Sequence, residues 1–120
     1  MHDEFIKERP GFLLEHIDAI LEYFSNIHQA SDFKQPHDGR KSFDAIISRL
    51  LAIGEGVKKI DKNQPGFTEN NLTADVDIII RFRDFIAHHY EKLDTEIIYE
   101  ICSIKIPELK NSITDYLKNI

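Results

Sequence analysis

Between Phe12 and Ala30 the apolar residues Leu13, Ile17, Ile20, Phe24 and Ile27 recur at alternating steps of four and three, which places one stripe along a helix. The following SDFKQPHDGRKS has no period and carries Pro, Gly, Asp and Ser, so it reads as a loop ending at an N-cap, Ser42. Phe43, Ile46, Ile47, Leu50, Leu51, Gly54, Val57 and Ile60 define a second helix. Gly54 inside it costs about 1 kcal/mol relative to Ala, and so predicts close approach of another backbone or side chain. DKNQPGFTENN breaks the pattern, most clearly at Pro65-Gly66. A third helix is expected from about Ala74 to Tyr90, with Val76, Ile79, Ile80 and Ile86 on one side. Asp94 suits the cap of a fourth, short helix through Ile97, Ile98, Ile101 and Ile104. Pro107 suits the first turn of a fifth, with Leu109, Ile113, Tyr116, Leu117 and Ile120 as its buried face. The Ile-rich run from 97 to 106 has the composition of a strand, yet nothing else in the chain offers it a partner. The expected fold is all-α, a bundle of about five helices.

At 120 residues the chain fits a single domain, 1–120, able to bury roughly two-thirds of the surface its unfolded form exposes. Hydrophobic residues make up 42% and charged residues 30%, a composition that excludes disordered and fibrous classes. No apolar run approaches the roughly 20 residues that span a bilayer, and MHDEFIKERP lacks the basic and apolar regions of a signal peptide. The expectation is a cytoplasmic protein with no membrane partner. Cys102, alone in an apolar run, is expected to be a buried small hydrophobe. The formal net charge of −6 excludes a general nucleic-acid binder, and no DNA partner is expected. Any RNA contact must come from a local basic patch, for which Arg40/Lys41, Lys58/Lys59 and Arg81/Arg83 are the candidates.

Candidate chemistry concentrates in RFRDFIAHHYEKLD, residues 81 to 94. At about 100° per residue Arg83 lines up with Ile79, Ala87 and Tyr90, whereas His88 points roughly 140° away from it. His88 instead stands one turn beyond Asp84, at the i, i+4 spacing of a carboxylate–imidazole contact. One site using both Arg83 and His88 needs the arginine to bend along the helix, or the helix to distort near its end, or a second copy to supply the missing half; the second copy is the expectation. Cleaving RNA without a metal requires a base for the 2′-hydroxyl proton, an acid for the leaving 5′-oxygen, and a fixed cation beside the phosphoryl oxygens. Imidazole serves as base or acid near neutral pH, and guanidinium presents a permanently charged fork. Asp84 is expected to orient His88 and favour its protonated form. Adjacent His88 and His89 point about 100° apart on a helix, and His16, His28 and His37 add no ligand spacing, so neither a metal nor a cofactor is expected. Gly54-Glu55-Gly56 lacks the spacing and lysine of a phosphate loop. Glu55 is expected to pair with Arg81 or Arg83. Plainer readings make Arg83 a surface ion pair with Asp84, His88 and His89 polar helix-end residues, and Tyr90 a partly buried side chain with its hydroxyl at the surface.

Arg83, four residues, His88, one residue, Tyr90 resembles the signature of HEPN-domain proteins of the HepT type, ribonuclease toxins paired with a nucleotidyltransferase antitoxin of the MntA type. HIDAILEYF, LLAIGEGVKKI and IPELKNSI resemble the family's first-helix, second-helix and carboxy-terminal segments, so the likeness runs from about residue 12 to the end. The resemblance implies an up-and-down helical bundle that forms a homodimer, with the motifs of both subunits meeting in a cleft where RNA is cut. It makes Arg83 and His88 the catalytic pair, with Asp84 in support and Arg81, Glu55 and His89 as candidate cleft contacts. It also implies that the antitoxin transfers AMP to Tyr90 and so blocks the cleft. Where the family often has Asn after the arginine, this chain has Asp84, whose charge would repel phosphate unless neutralised. The alternative is a non-catalytic module that holds RNA or a nucleotide and partners a nucleotidyltransferase.

Overall fold

A computed structural model describes residues 10–120, and within them every regular element is helical. The reading of the amino-terminal segment concerns residues that, Pro10 apart, lie outside those described. The elements are α1 (Pro10–Phe24), a 3-10 turn (Ala30–Lys34), α2 (Asp38–Asn63), α3 (Phe67–Asn71), α4 (Asp77–His89), a second 3-10 turn (Tyr90–Lys92), α5 (Thr95–Glu100), a π-helical turn (Ile101–Lys105) and α6 (Ile106–Lys118).

The spine is α2, whose 26 residues extend about 39 Å at 1.5 Å per residue, against a longest molecular dimension of 43 Å. Its apolar stripe, from Phe43 through Ile46, Ile47, Leu50, Ile53 and Val57 to Ile60, is buried throughout. Both α1 and α4 pack on it, and α6 closes the bundle against α1. Leu13, Ile17 and Ile20 of α1, Ile79 and Ile86 of α4, and Ile106, Leu109 and Ile113 of α6 complete one continuous core. Cys102 lies within that core, where burial pushes its thiol up to about 12.

Several boundaries depart from the periodic pattern for local reasons. The first helix ends at Phe24, three residues before its stripe does, and Ile27 reaches the core from a tight turn closed by its N–H to the Phe24 carbonyl at 2.9 Å. The expected loop after it contains the 3-10 turn and buries Phe33 completely. The second helix starts at Asp38, so Ser42 lies in its first turns and does not cap it. A γ-turn at His37 (φ 67°, ψ −88°) leads in, closed by the Asp38 N–H to the Pro36 carbonyl at 3.0 Å. Gly39 permits this start, since a Cβ there would collide with the Asp32 carbonyl.

The third helix begins at Asp77 rather than Ala74. The Thr73 and Ala74 N–H groups are held instead by Ser112 Oγ of α6, at 2.8 and 3.2 Å. Asp94 caps α5 through the Glu96 N–H at 2.8 Å. The fourth and fifth helices form one run joined by the π turn. Pro107 cannot donate, and its ring would meet the Ser103 carbonyl of a regular helix, so the wider turn just before it accommodates the proline. On this run Ile98 and Ile101 are buried while Ile97 and Ile104 face outward. Leu117 and Ile120, expected in the core, are exposed as well and line a surface groove of about 520 Å³ with Pro10, Phe12, Phe67 and Tyr116.

Candidate active site

The site forms along the seam between α2 and α4, and its geometry begins with a missing side chain. A Cβ on Gly54 would run into Cβ of Arg83 and lie 2.7 Å from its Cγ. The glycine therefore lets the stem of Arg83 cross directly over α2, the close approach that its place in the helix predicts. With the stem held there, Glu55 on the next position of α2 forms an ion pair with Arg83 Nη2, and Arg83 Nη1 donates to Asp84 Oδ1 at 3.0 Å. Lys58, one turn further along α2, approaches the same Asp84 oxygen at 3.6 Å. The seam runs antiparallel: Lys58 and Glu55 meet the Arg83/Asp84 level, while Asp44, near the start of α2, meets Tyr90 just beyond α4.

The electrostatics follow from this matching of charges. Asp84 is held below the usual carboxylate range chiefly by the hydrogen bond from Arg83, with the Lys58 charge adding to it. Arg83 is pushed further into its charged form, first by the Asp84 hydrogen bond and then by Glu55. Arg83 Nε is buried without a hydrogen-bond acceptor among the described residues. The repulsion expected between Asp84 and a phosphate is thus offset by two cations already beside it.

One expectation is corrected. The Asp84 carboxylate is engaged with Arg83 and Lys58 and does not orient His88. The backbone does: His88 Nδ1 lies 2.8 Å from the Asp84 carbonyl oxygen. A carbonyl only accepts, so Nδ1 carries the proton and Nε2 is left free to take one. Asp84 therefore tethers both groups, the guanidinium through its carboxylate and the imidazole through its carbonyl. Arg83 Nη1 thus reaches the carboxylate of the residue whose carbonyl, one turn before His88, holds the imidazole.

The helix ends at His89. His89 has φ −136°, and Tyr90 opens the second 3-10 turn. The Tyr90 hydroxyl donates to Asp44 Oδ1 at 2.7 Å, with the residue 47% exposed, so the phenol is both anchored and reachable. That hydrogen bond raises the phenol above its ordinary value, burial and the Asp44 charge add to the rise, and Arg40 opposes it. His89 packs against Phe85 with ring centroids 4.8 Å apart, and Phe85 in turn stacks on Phe82 at 6.2 Å. Arg81 is exposed and forms no hydrogen bond or ion pair among the described residues, so the Glu55 partner is Arg83. Asp44 is the residue that reading the chain missed. It lies 46 positions from Tyr90 at a polar point of the α2 pattern, and no local spacing connects them.

Among the described residues no group of three or more His, Cys, Asp or Glu could hold a metal ion. No helix among them is long and apolar enough to cross a membrane.

Comparison with known proteins adds an independent line. The family model described as Ribonuclease HepT-like matches residues 13–115, which takes in the whole α2–α4 seam. Three proteins of Methanocaldococcus jannaschii named as candidate RNases are similar over 108 residues, 90% of this chain. The first is 27% identical, with 84% of its own length covered. The second is 26% identical, also with 84% covered, and the third 25% identical with 87% covered. No solved structure matches at the same level of significance.

Proposed function

Because the chain belongs to the HepT-like ribonuclease family, we propose that it is an endoribonuclease that cuts RNA without a metal at the α2–α4 seam. The observation that carries this reading is the double tether at Asp84, whose carboxylate holds a guanidinium and whose carbonyl holds an imidazole with its Nε2 free. His88 Nε2 takes the 2′-hydroxyl proton, the 2′-oxygen attacks the adjacent phosphorus, and the 5′-oxygen leaves with a proton from an acid. A cyclic 2′,3′-phosphate remains. Arg83 faces the phosphoryl oxygens as their charge grows, exchanging part of its pairing with Glu55 for the phosphate.

The acid that protonates the leaving group is the His88 of a second copy. On the outer side of α4 Phe85 is 42% exposed, with His89 packed on it and the half-buried Phe82 stacked beside it. Two copies packed through that face bring both His88 residues to one groove. In the cell the protein acts as the toxin of a toxin–antitoxin pair, and a nucleotidyltransferase antitoxin neutralises it by transferring AMP to Tyr90, at the edge of the same seam.

The test is cleavage of RNA by wild type and by Arg83→Ala/His88→Ala in excess chelator. Wild type is expected to keep its activity, and the double variant to lose at least about 10³-fold, the combined scale of one general base and one oxyanion contact. Cleavage that survives the double substitution rejects the assignment. RNA binding retained by a wild type that does not cut supports a binding module instead.

A further inference from the structure

We infer that Asp44 is the proton acceptor that activates the Tyr90 hydroxyl for attack on phosphorus, which makes the α2 end of the seam a nucleotidyl-acceptor site. This deepens, and rests on, the reading of Tyr90 as the modified residue. The argument begins with reach. Tyr90 Oη and Asp44 Oδ1 are 2.7 Å apart, a distance at which a proton passes from phenol to carboxylate without rearrangement. The hydroxyl belongs to a residue that is nearly half exposed, so an electrophile can approach it from solvent while the carboxylate holds its far side. At neutral pH a free phenol is almost wholly protonated and a poor nucleophile. Hydrogen bonding to Asp44 holds Tyr90 still more firmly in that neutral form. Attack must therefore be concerted with proton loss, and Asp44 is the group in place to receive it.

The step balances. The Tyr90 oxygen forms a bond to the α-phosphorus of a nucleoside triphosphate, the α–β bridging P–O bond breaks, pyrophosphate leaves, and the phenolic proton passes to Asp44. The charged groups that act on the hydroxyl are Asp44 and Arg40, both from α2. Arg40 lies with its guanidinium 5.7 Å from the Phe43 ring centre and supplies the positive charge that offsets Asp44 as a phosphate arrives.

Asp44→Asn is the discriminating variant, because the amide oxygen still accepts the Tyr90 hydrogen bond but is not basic. Two arms use the full chain. In the first, wild type, Asp44→Asn and Tyr90→Phe are incubated with a nucleotidyltransferase of the MntA type, ATP and magnesium, and the AMP mass is followed by intact and peptide mass spectrometry. In the second, the same proteins meet diisopropyl fluorophosphate with no partner present, and label on residue 90 is mapped.

In both arms wild type is expected to react at Tyr90 at least about 10²-fold faster than Asp44→Asn at pH 7. That ratio should shrink as pH rises, since hydroxide replaces the missing base. Tyr90→Phe should gain neither group at position 90. Equal rates for wild type and Asp44→Asn, or a deficit that does not change with pH, overturn the assignment of Asp44 as base. AMP failing to reach Tyr90, while the phosphorofluoridate labels it in an Asp44-dependent manner, overturns only the regulatory reading. Failure of both arms overturns the two together.

Discussion

At the scale of single residues the seam is a set of matched charges, and Asp84 is the residue whose replacement is most informative. Its side chain holds Arg83, the group proposed to face the phosphate, while its backbone carbonyl holds His88. Asp84→Asn should therefore leave the imidazole oriented and free the guanidinium. RNA is expected to bind roughly 3- to 10-fold more tightly, about 1 kcal/mol, as measured by fluorescence anisotropy. The sign of the pH effect follows from the depressed carboxyl. Its contribution to stability is in place above about pH 4 and disappears as acid carries it through its lower folded value. The Asn variant should lack that acid-dependent loss, and its gain in affinity should be constant between pH 6 and 8. Weaker RNA binding by the variant would show instead that the carboxylate positions Arg83 for phosphate.

At the scale of elements the decisive contact is α2 against α4. Gly54→Ala gains about 1 kcal/mol of helix propensity but drives a methyl group into Arg83 Cβ, an overpacking that costs about 1–3 kcal/mol and more where backbone must move. We expect net destabilisation of about 1 kcal/mol, a fall in Tm of roughly 4 °C, together with reduced cleavage. Arg83→Ala should not rescue it, because the colliding atom is Cβ, whereas Arg83→Gly should. A Tm raised by Gly54→Ala alone would mean that the two helices stand further apart than described. This contact was legible in the chain, since a glycine amid strong helical periodicity needs a reason. The start of α2 was not. Ser42 has the right chemistry for a cap, but Gly39 under the Asp32 carbonyl and the turn at His37 move the start to Asp38. The join between α5 and α6 was hidden in the same way: Pro107 reads as a helix start, and a π turn absorbs it within a continuous run.

At the scale of the whole molecule the proposed two-copy site depends on the outer face of α4. Phe85→Glu puts a charge at the centre of that stripe, on a side chain exposed enough for the monomer to tolerate it. The variant is expected to sediment as a monomer, to keep its Tm within a few degrees, and to lose most of its cleavage activity. Wild type should sediment as a dimer. A wild type that is strictly monomeric at assay concentration and still cuts RNA rejects the two-copy site. The acidic balance of the chain bears on the same scale: with a formal charge of −6, RNA is expected to bind through the local cations of the seam and in a salt-sensitive way.

From its sequence alone this chain is an all-helical protein with a HepT-like motif on its third long helix, because helical periodicity and the fixed spacing of Arg83, His88 and Tyr90 are local properties that survive without tertiary context. The partners of those residues are another matter. Asp44 meeting Tyr90 from 46 positions away, Lys58 sharing Asp84 with Arg83, and the exposure of Leu117 and Ile120 all depend on how the helices lie against one another. Long-range packing decides which polar groups face each other, and no period along the chain encodes that distance.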